Sequence, residues 1–133
     1  MGVLCPSSTC LGSACLDEHR LAFTRRSVRS GTGVADVLSA PDHQVWGVLY
    51  ELSNEDFDAL DRKEGHGWAY TREQKHVGLV ADGSKREALL YTVLVKEPNE
   101  VPPSREYLNC LIAAARRHAF PPDYVSKLEA IVL

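Results

Sequence analysis

The chain has 133 residues, which is the usual size of one domain and long enough to bury a core of its own. Apolar residues make up 44% and charged residues 25%, a composition that excludes a disordered chain. No apolar run approaches the roughly 18 residues that cross a bilayer, and the net charge of −3 gives no general attraction for nucleic acid. We therefore expect one globular domain over residues 1–133 that binds neither membranes nor nucleic acid.

The cysteines bear on the cellular compartment and on metal binding. Cys5, Cys10 and Cys15 repeat at even spacing, and no signal peptide precedes them. Thiols of chains without such a signal stay reduced in the cell interior, so we expect a cytoplasmic protein. Zinc sites need a second pair of ligands, which is missing here. The sequence therefore predicts free thiols and no metal site.

The first half of the chain contains strand patterns separated by a turn signal. Residues 1–18 are rich in Ser, Gly and Cys and show no clear period. Apolar alternation predicts strands over 19–24, 34–38 and 44–52, the last rich in Val, Trp and Tyr. The Pro-Asp pair at 41–42 predicts a turn between the second and third strands.

A helix is predicted directly after the third strand. Ser53 followed three residues later by Asp56 is a capping-box pattern. Gly65 and Gly67 follow at the other end, so the helix is expected to stop near Glu64.

The second half of the chain begins with a hairpin pattern. Strands are predicted over 70–80 and 87–95, joined by an Asp-Gly turn at 82–83. A Pro-containing loop over 96–103 follows, and Ser104 can cap the next helix.

Two helices are predicted to close the chain. The first carries an apolar face that includes Tyr107, Leu108, Leu111, Ile112 and Ala115. The Pro-Pro pair at 121–122 breaks it, and the last helix carries apolar residues at spacings of four and three. This order of elements predicts an α+β fold with a small mixed or antiparallel, barrel-like sheet and helices packed outside it.

One ionisable side chain stands out by its position on the predicted helix after the third strand. Phe57, Leu60 and Glu64 fall at i, i+3 and i+7 and therefore share one stripe. Because Phe57 and Leu60 must face the core, the Glu64 carboxyl is expected to point inward too. Burial raises the pKa of a carboxyl toward the range of a general acid or base. The alternative is a carboxyl on the rim that contacts water or Arg62.

Several motifs resemble the γ-glutamylcyclotransferase-like (AIG2-like) family. They are VWGVLY at 45–50, LDRKEG at 60–65 with a tyrosine within ten residues, PPS at 102–104, Tyr107, and a C-terminal segment over 122–131. The resemblance spans roughly residues 19–133 and includes the predicted sheet and helices.

The resemblance implies an enzyme and its site residues. In the family, the glutamate of the Glu-Gly pair is the catalytic acid/base, which matches Glu64. The implied enzyme is a lyase that converts γ-glutamyl amino acids or amines to 5-oxoproline and a free amine, with no metal or organic cofactor. Tyr70, Tyr91 and Tyr107 are candidates for substrate binding, and the last two match aromatic positions near the family's site. The alternative is that these are core tyrosines with satisfied hydroxyls.

One family feature is missing from the sequence. The family opens with a strand and a Tyr-Gly-Ser-Asn loop that holds the γ-glutamyl group, and no such motif is present. We therefore expect the first strand to be absent, and a non-catalytic or truncated relative acting as a small binding domain is the alternative to an enzyme. An unpaired sheet edge attracts another strand. The chain is accordingly expected to form a homodimer or to use residues 1–18 as a substitute cover.

Overall fold

The sheet is built around two long antiparallel strands. The computed structural model describes residues 9–27, 31–52 and 70–133. In these ranges, β1 is Thr9–Arg26 and β2 is Gly33–Glu51. The two strands pair over nearly their whole length, so the three strands predicted in the first half of the chain all lie in this one pair.

The turn predicted at 41–42 is wrong, because β2 continues through it. At this point Glu18 of β1 faces residues 40–43 of β2, and the register shifts. Glu18 and Asp42 each have a φ of 63°, and the backbone N–H of Asp42 donates to the Glu18 carboxylate at 3.3 Å. The extra residues form a bulge and pairing then resumes, so residues typical of a turn do not end the strand.

β1 also begins well before the strand predicted over 19–24. Residues 9–17 pair with the second half of β2 and bury Ala14 and Leu16. The sequence does not predict this strand, because its side chains are mostly small and Gly12, with a left-handed φ of 111°, is untypical of a strand interior. This part of the N-terminal segment therefore lies along one edge of β2 as part of β1. That residues 1–18 substitute for the missing first strand stays a prediction.

The predicted hairpin is confirmed. β3 is Tyr70–Leu79 and β4 is Lys85–Val93, and the two strands pair antiparallel. In the turn, the Asp82 carboxylate accepts a hydrogen bond from the backbone N–H of Ser84 at 2.9 Å. Gly83 adopts a φ of 68°, which glycine reaches without strain.

The four strands form one antiparallel sheet in the order β2-β1-β3-β4. Among the described residues, β1 and β3 pair at two places only, where Ala14 faces Leu79 and Cys15 faces Gly78. The two halves of the sheet are therefore joined by a short stretch of pairing, and within the described ranges the barrel-like sheet does not close.

Two helices follow the sheet and confirm the α+β prediction. α1 is Arg105–Arg117 and α2 is Pro122–Glu129, and Pro122 takes the first helical turn, where its missing N–H costs nothing. The helices bury Leu108, Ala115 and Leu128. The helix predicted to end near Glu64 lies outside the described residues.

Replacing Ser104 by alanine is expected to lower the free energy of unfolding by about 1 kcal/mol. The Ser104 hydroxyl oxygen accepts a hydrogen bond from the backbone N–H of Tyr107 at 3.1 Å, and alanine leaves that N–H without its cap. Urea unfolding measures the change. Ser126→Ala, inside α2 and exposed, is the matched control with an expected change within about 0.5 kcal/mol. Equal losses in the two variants would contradict the capping role.

Candidate active site

The sequence predicts four site residues: Glu64 as the catalytic residue, and Tyr70, Tyr91 and Tyr107 as substrate-binding residues. The three tyrosines lie in the described part of the chain. Glu64 lies outside it, so its predicted burial and inward direction stay predictions. The three tyrosines come from separate elements: Tyr70 opens β3, Tyr91 lies in β4, and Tyr107 lies in the first turn of α1.

Strand directions bring the three tyrosines to the same end of the sheet. Tyr70 faces Val93 across the β3–β4 ladder, close to Tyr91 in the same strand as Val93. Tyr107 reaches Ala35, near the start of β2. Because neighbouring strands are antiparallel, the start of β2, the start of β3 and the end of β4 lie at one end of the sheet. All three candidates therefore belong to this end, which we call the tyrosine end.

Tyr107 is held by contacts on both its ring and its hydroxyl. The hydroxyl oxygen accepts a hydrogen bond from the backbone N–H of Ala35 at 3.1 Å. Its ring packs edge-on against Phe23 of β1, with 6.4 Å between the ring centroids. Such an edge-to-face arrangement is the favourable one for two aromatic rings. The start of α1 is thus joined to both long strands through this one side chain.

Tyr70 interacts with the arginine-rich end of β1. The Arg25 guanidinium lies 5.6 Å from the centroid of the Tyr70 ring, within the range of a cation–π contact. The neighbouring Arg26 donates to the backbone carbonyl of Gly31 at 2.5 Å. Both arginines at this end of β1 therefore have partners within the protein.

Tyr91 lines a groove of about 260 Å³ on the sheet together with Asp36. Most of the wall is apolar, formed by residues such as Leu16, Leu21, Val37, Val45 and Leu90. An apolar groove with a few polar groups is the usual form of a small-molecule site. Neither Tyr70 nor Tyr107 lines this groove, although Tyr107 contacts Ala35, which does. The structure thus places Tyr91 in the groove, Tyr107 against Ala35 at the groove wall, and Tyr70 against Arg25.

Asp36 is a buried charge at the tyrosine end that the sequence analysis missed. Its side chain has no solvent exposure, and its carboxylate lies 2.9 Å from the Lys96 ammonium. The signal was present in the sequence, because Asp36 is the one charged residue in the otherwise apolar stretch 33–38. A charge at such a position needs a buried partner. Its partner lies 60 residues further along the chain, which no local pattern reveals.

The described cysteines are free, and one of them lies in an environment that suppresses its reactivity. Burial, followed by the nearby Asp17 carboxylate, raises the pKa of the Cys15 thiol to about 11. The thiol donates a hydrogen bond to that carboxylate over 3.6 Å. Within the described ranges, no three His, Cys, Asp or Glu side chains are grouped as a metal ion would require.

At about pH 8, Cys15 is expected to react with iodoacetamide more slowly than the exposed Cys10, because the thiolate is the reactive form and its fraction falls as the thiol pKa rises. Mass spectrometry of the alkylated peptides over time gives both rates. Asp17→Asn should speed the reaction at Cys15 and leave Cys10 unchanged. Equal rates at the two cysteines of the unmodified protein would contradict the expectation.

The described part of the chain holds no helix that is both long and apolar enough to cross a membrane.

A family comparison adds to this geometry. The model of the AIG2-like family matches residues 44–128, which is more than half of the chain and includes Glu64 and the three tyrosines. The chain belongs to the AIG2-like family. The recognition made from the sequence motifs is therefore confirmed.

Curated relatives of this AIG2-like chain carry an enzyme name. The Homo sapiens protein named gamma-glutamylcyclotransferase is 26% identical over 132 residues, which cover 95% of this chain and 68% of the human protein. The Mus musculus protein of the same name is 27% identical with the same coverage. These names support the prediction that this AIG2-like chain is an enzyme.

Solved structures agree with the fold. A structure named gamma-glutamyl cyclotransferase matches with a TM-score of 0.89 at 24% identity, over 98% of this chain and 79% of that one. An AIG2-like protein from Mus musculus matches with a TM-score of 0.56 at 20% identity, over 73% of this chain and 67% of its own. The α+β architecture of this AIG2-like chain therefore has known counterparts.

Proposed function

We propose that this AIG2-like chain is a γ-glutamylcyclotransferase-like lyase that converts γ-glutamyl amino acids or amines to 5-oxoproline and a free amine. The observation that carries the proposal is the family match over residues 44–128, which includes the Glu-Gly pair at 64–65. The similarity of the chain to relatives named gamma-glutamylcyclotransferase supports the same reaction.

The reaction is an intramolecular aminolysis with Glu64 as the general acid and base. The α-nitrogen of the substrate attacks its own γ-carbonyl carbon, a lactam bond forms, and the amide bond to the leaving group breaks. The α-ammonium must first lose a proton, and the departing nitrogen must gain one. One carboxyl group can accept the first proton and donate the second, so no separate acid is needed.

Holding the substrate in a folded conformation supplies the other part of the catalysis. A bound substrate whose amine already lies against its γ-carbonyl loses little further entropy on ring closure. We assign the binding of the γ-glutamyl part to the tyrosine end, where Tyr91 lines an apolar groove and Tyr107 lies against β2. Chain connectivity supports the assignment, since Tyr70 is the sixth residue after Glu64, which limits their Cα–Cα distance to roughly 22 Å.

The test is 5-oxoproline release by the purified chain. γ-Glutamyl-alanine, a γ-glutamyl amine and glutathione are incubated with the protein, and 5-oxoproline is measured by mass spectrometry. α-Glutamyl-alanine is the matched control, because it has no amide at the γ-carbon to break. We expect release from at least one γ-linked compound and none from the α-linked dipeptide. A folded protein that releases 5-oxoproline from none of them would instead support the non-catalytic binding domain.

A further inference from the structure

The Asp36 carboxylate at the tyrosine end is contacted by three hydrogen-bond donors. Besides the Lys96 ammonium at 2.9 Å, it accepts hydrogen bonds from the Thr24 hydroxyl at 2.7 Å and from the backbone N–H of Val93 at 3.2 Å. Thr24 is itself buried, with 3% of its surface exposed. Three donors, one from β1 and two from the end of β4 and the residues just after it, thus meet a carboxylate without solvent exposure. A buried charge is tolerated only when it is partnered in this way.

These contacts join strands that are not neighbours in the sheet. Asp36 lies in β2 and Val93 at the end of β4, and the sheet order places β2 and β4 at opposite edges. Lys96 strengthens the link, because its ammonium also donates to the Val93 carbonyl at 2.5 Å. The carboxylate therefore holds the two edges together at the tyrosine end, where no β-ladder does so among the described residues.

Two of the three tyrosines predicted to bind the substrate lie next to these contacts. Tyr91 lies two residues before Val93 in β4 and lines the same groove as Asp36. Tyr107 accepts a hydrogen bond from the backbone N–H of Ala35, the residue before Asp36. The distance between the two tyrosines consequently depends on the contacts that connect β2 with the end of β4. Asp36 supplies these contacts through its hydrogen bond from Val93 and its ion pair with Lys96.

We propose that Asp36 is a positioning residue that sets the separation between Tyr91, which lines the substrate groove, and Tyr107, which contacts the groove residue Ala35. This inference rests on the proposed function. Although Asp36 lies in the groove wall, its side chain has no solvent exposure, so we assign it no direct contact with the substrate. Its effect on the reaction acts through the two tyrosines and therefore falls on substrate binding.

Asp36→Asn tests the proposal with nearly the same side-chain shape. The amide removes the negative charge that holds Lys96, so β2 and β4 lose part of their link. We expect KM for the γ-glutamyl substrate to rise about tenfold, with kcat changed less than about threefold and its pH profile unchanged. Thr24→Val, which removes one donor and keeps the shape, is a milder second variant, and its KM should rise about threefold.

Leu79→Ala is the matched control for a general loss of stability. Leu79 is buried at the other end of the sheet beside Ala14. Its variant should melt at least as early as Asp36→Asn while its KM stays within about twofold of the unmodified protein. Three results would overturn the proposal. The KM of Asp36→Asn could stay within about twofold of the unmodified protein, or the pH profile of its kcat could shift. The KM of Leu79→Ala could also rise as much as that of Asp36→Asn.

A spectroscopic readout separates this inference from the proposed function. With 3-fluorotyrosine incorporated and each signal assigned by Tyr→Phe variants, Asp36→Asn should shift or broaden the ¹⁹F signals of Tyr91 and Tyr107. The Tyr124 signal should stay unchanged, as should all signals near the groove in Leu79→Ala. If the unmodified protein releases no 5-oxoproline, the proposed function fails. The ¹⁹F signals then still test whether Asp36 fixes the positions of Tyr91 and Tyr107. Unmoved Tyr91 and Tyr107 signals contradict the positioning role even in an active enzyme.

Discussion

Replacing Glu64 by glutamine is expected to lower kcat for 5-oxoproline release by about 10²–10⁴-fold. The amide keeps the shape of the side chain and can neither accept the proton of the α-ammonium nor donate one to the leaving nitrogen. Initial rates on γ-glutamyl-alanine, measured by mass spectrometry, give the ratio. Because the substitution is nearly isosteric, the melting temperature should change little.

Glu87→Gln is the matched control for this loss of activity. Glu87 lies in β4 with 60% of its side chain exposed, and its carboxylate lies 3.6 Å from His76. Its removal should leave kcat within about twofold, since exposed residues away from a site have small effects. Turnover by Glu64→Gln close to that of Glu87→Gln would end the assignment of Glu64 as the acid/base.

Replacing Leu108 by alanine is expected to lower the free energy of unfolding by about 2–5 kcal/mol. Leu108 has 1% of its surface exposed and belongs to the largest fully buried side chains among the described residues. The substitution removes buried methyl groups and leaves a cavity under α1. A domain of this size has roughly 5–15 kcal/mol of stability in all, so the variant should unfold at clearly lower urea concentration.

Leu94→Ala provides the same chemical change at an exposed position. Leu94 follows β4 with 47% of its surface exposed, so its truncation should change the free energy of unfolding by no more than about 0.5 kcal/mol. Urea unfolding curves with equal slopes allow the midpoints to be compared directly. Similar midpoints for the two variants would show that Leu108 does not anchor the core.

Local patterns were sufficient for the hairpin, the loop and the two C-terminal helices. An Asp-Gly turn, a serine cap and a proline pair act on the backbone within a few residues, so their effect is readable in the sequence. The family motifs are also local, and they indicate Glu64 and the enzyme class from the sequence alone. These features are therefore determined by residues that are close together in the sequence.

Pairing between distant segments explains what the sequence analysis missed. The bulge at Asp42 looks like a turn unless β1 lies beside it, and the strand before His19 becomes visible only with β2 as its partner. The contact of Asp36 with Lys96 and the meeting of three tyrosines at one end likewise depend on the order of strands in the sheet. Composition, motifs and local turns follow from neighbouring residues. Register, buried charge pairs and the shape of the groove follow from long-range packing, which no short window of sequence contains.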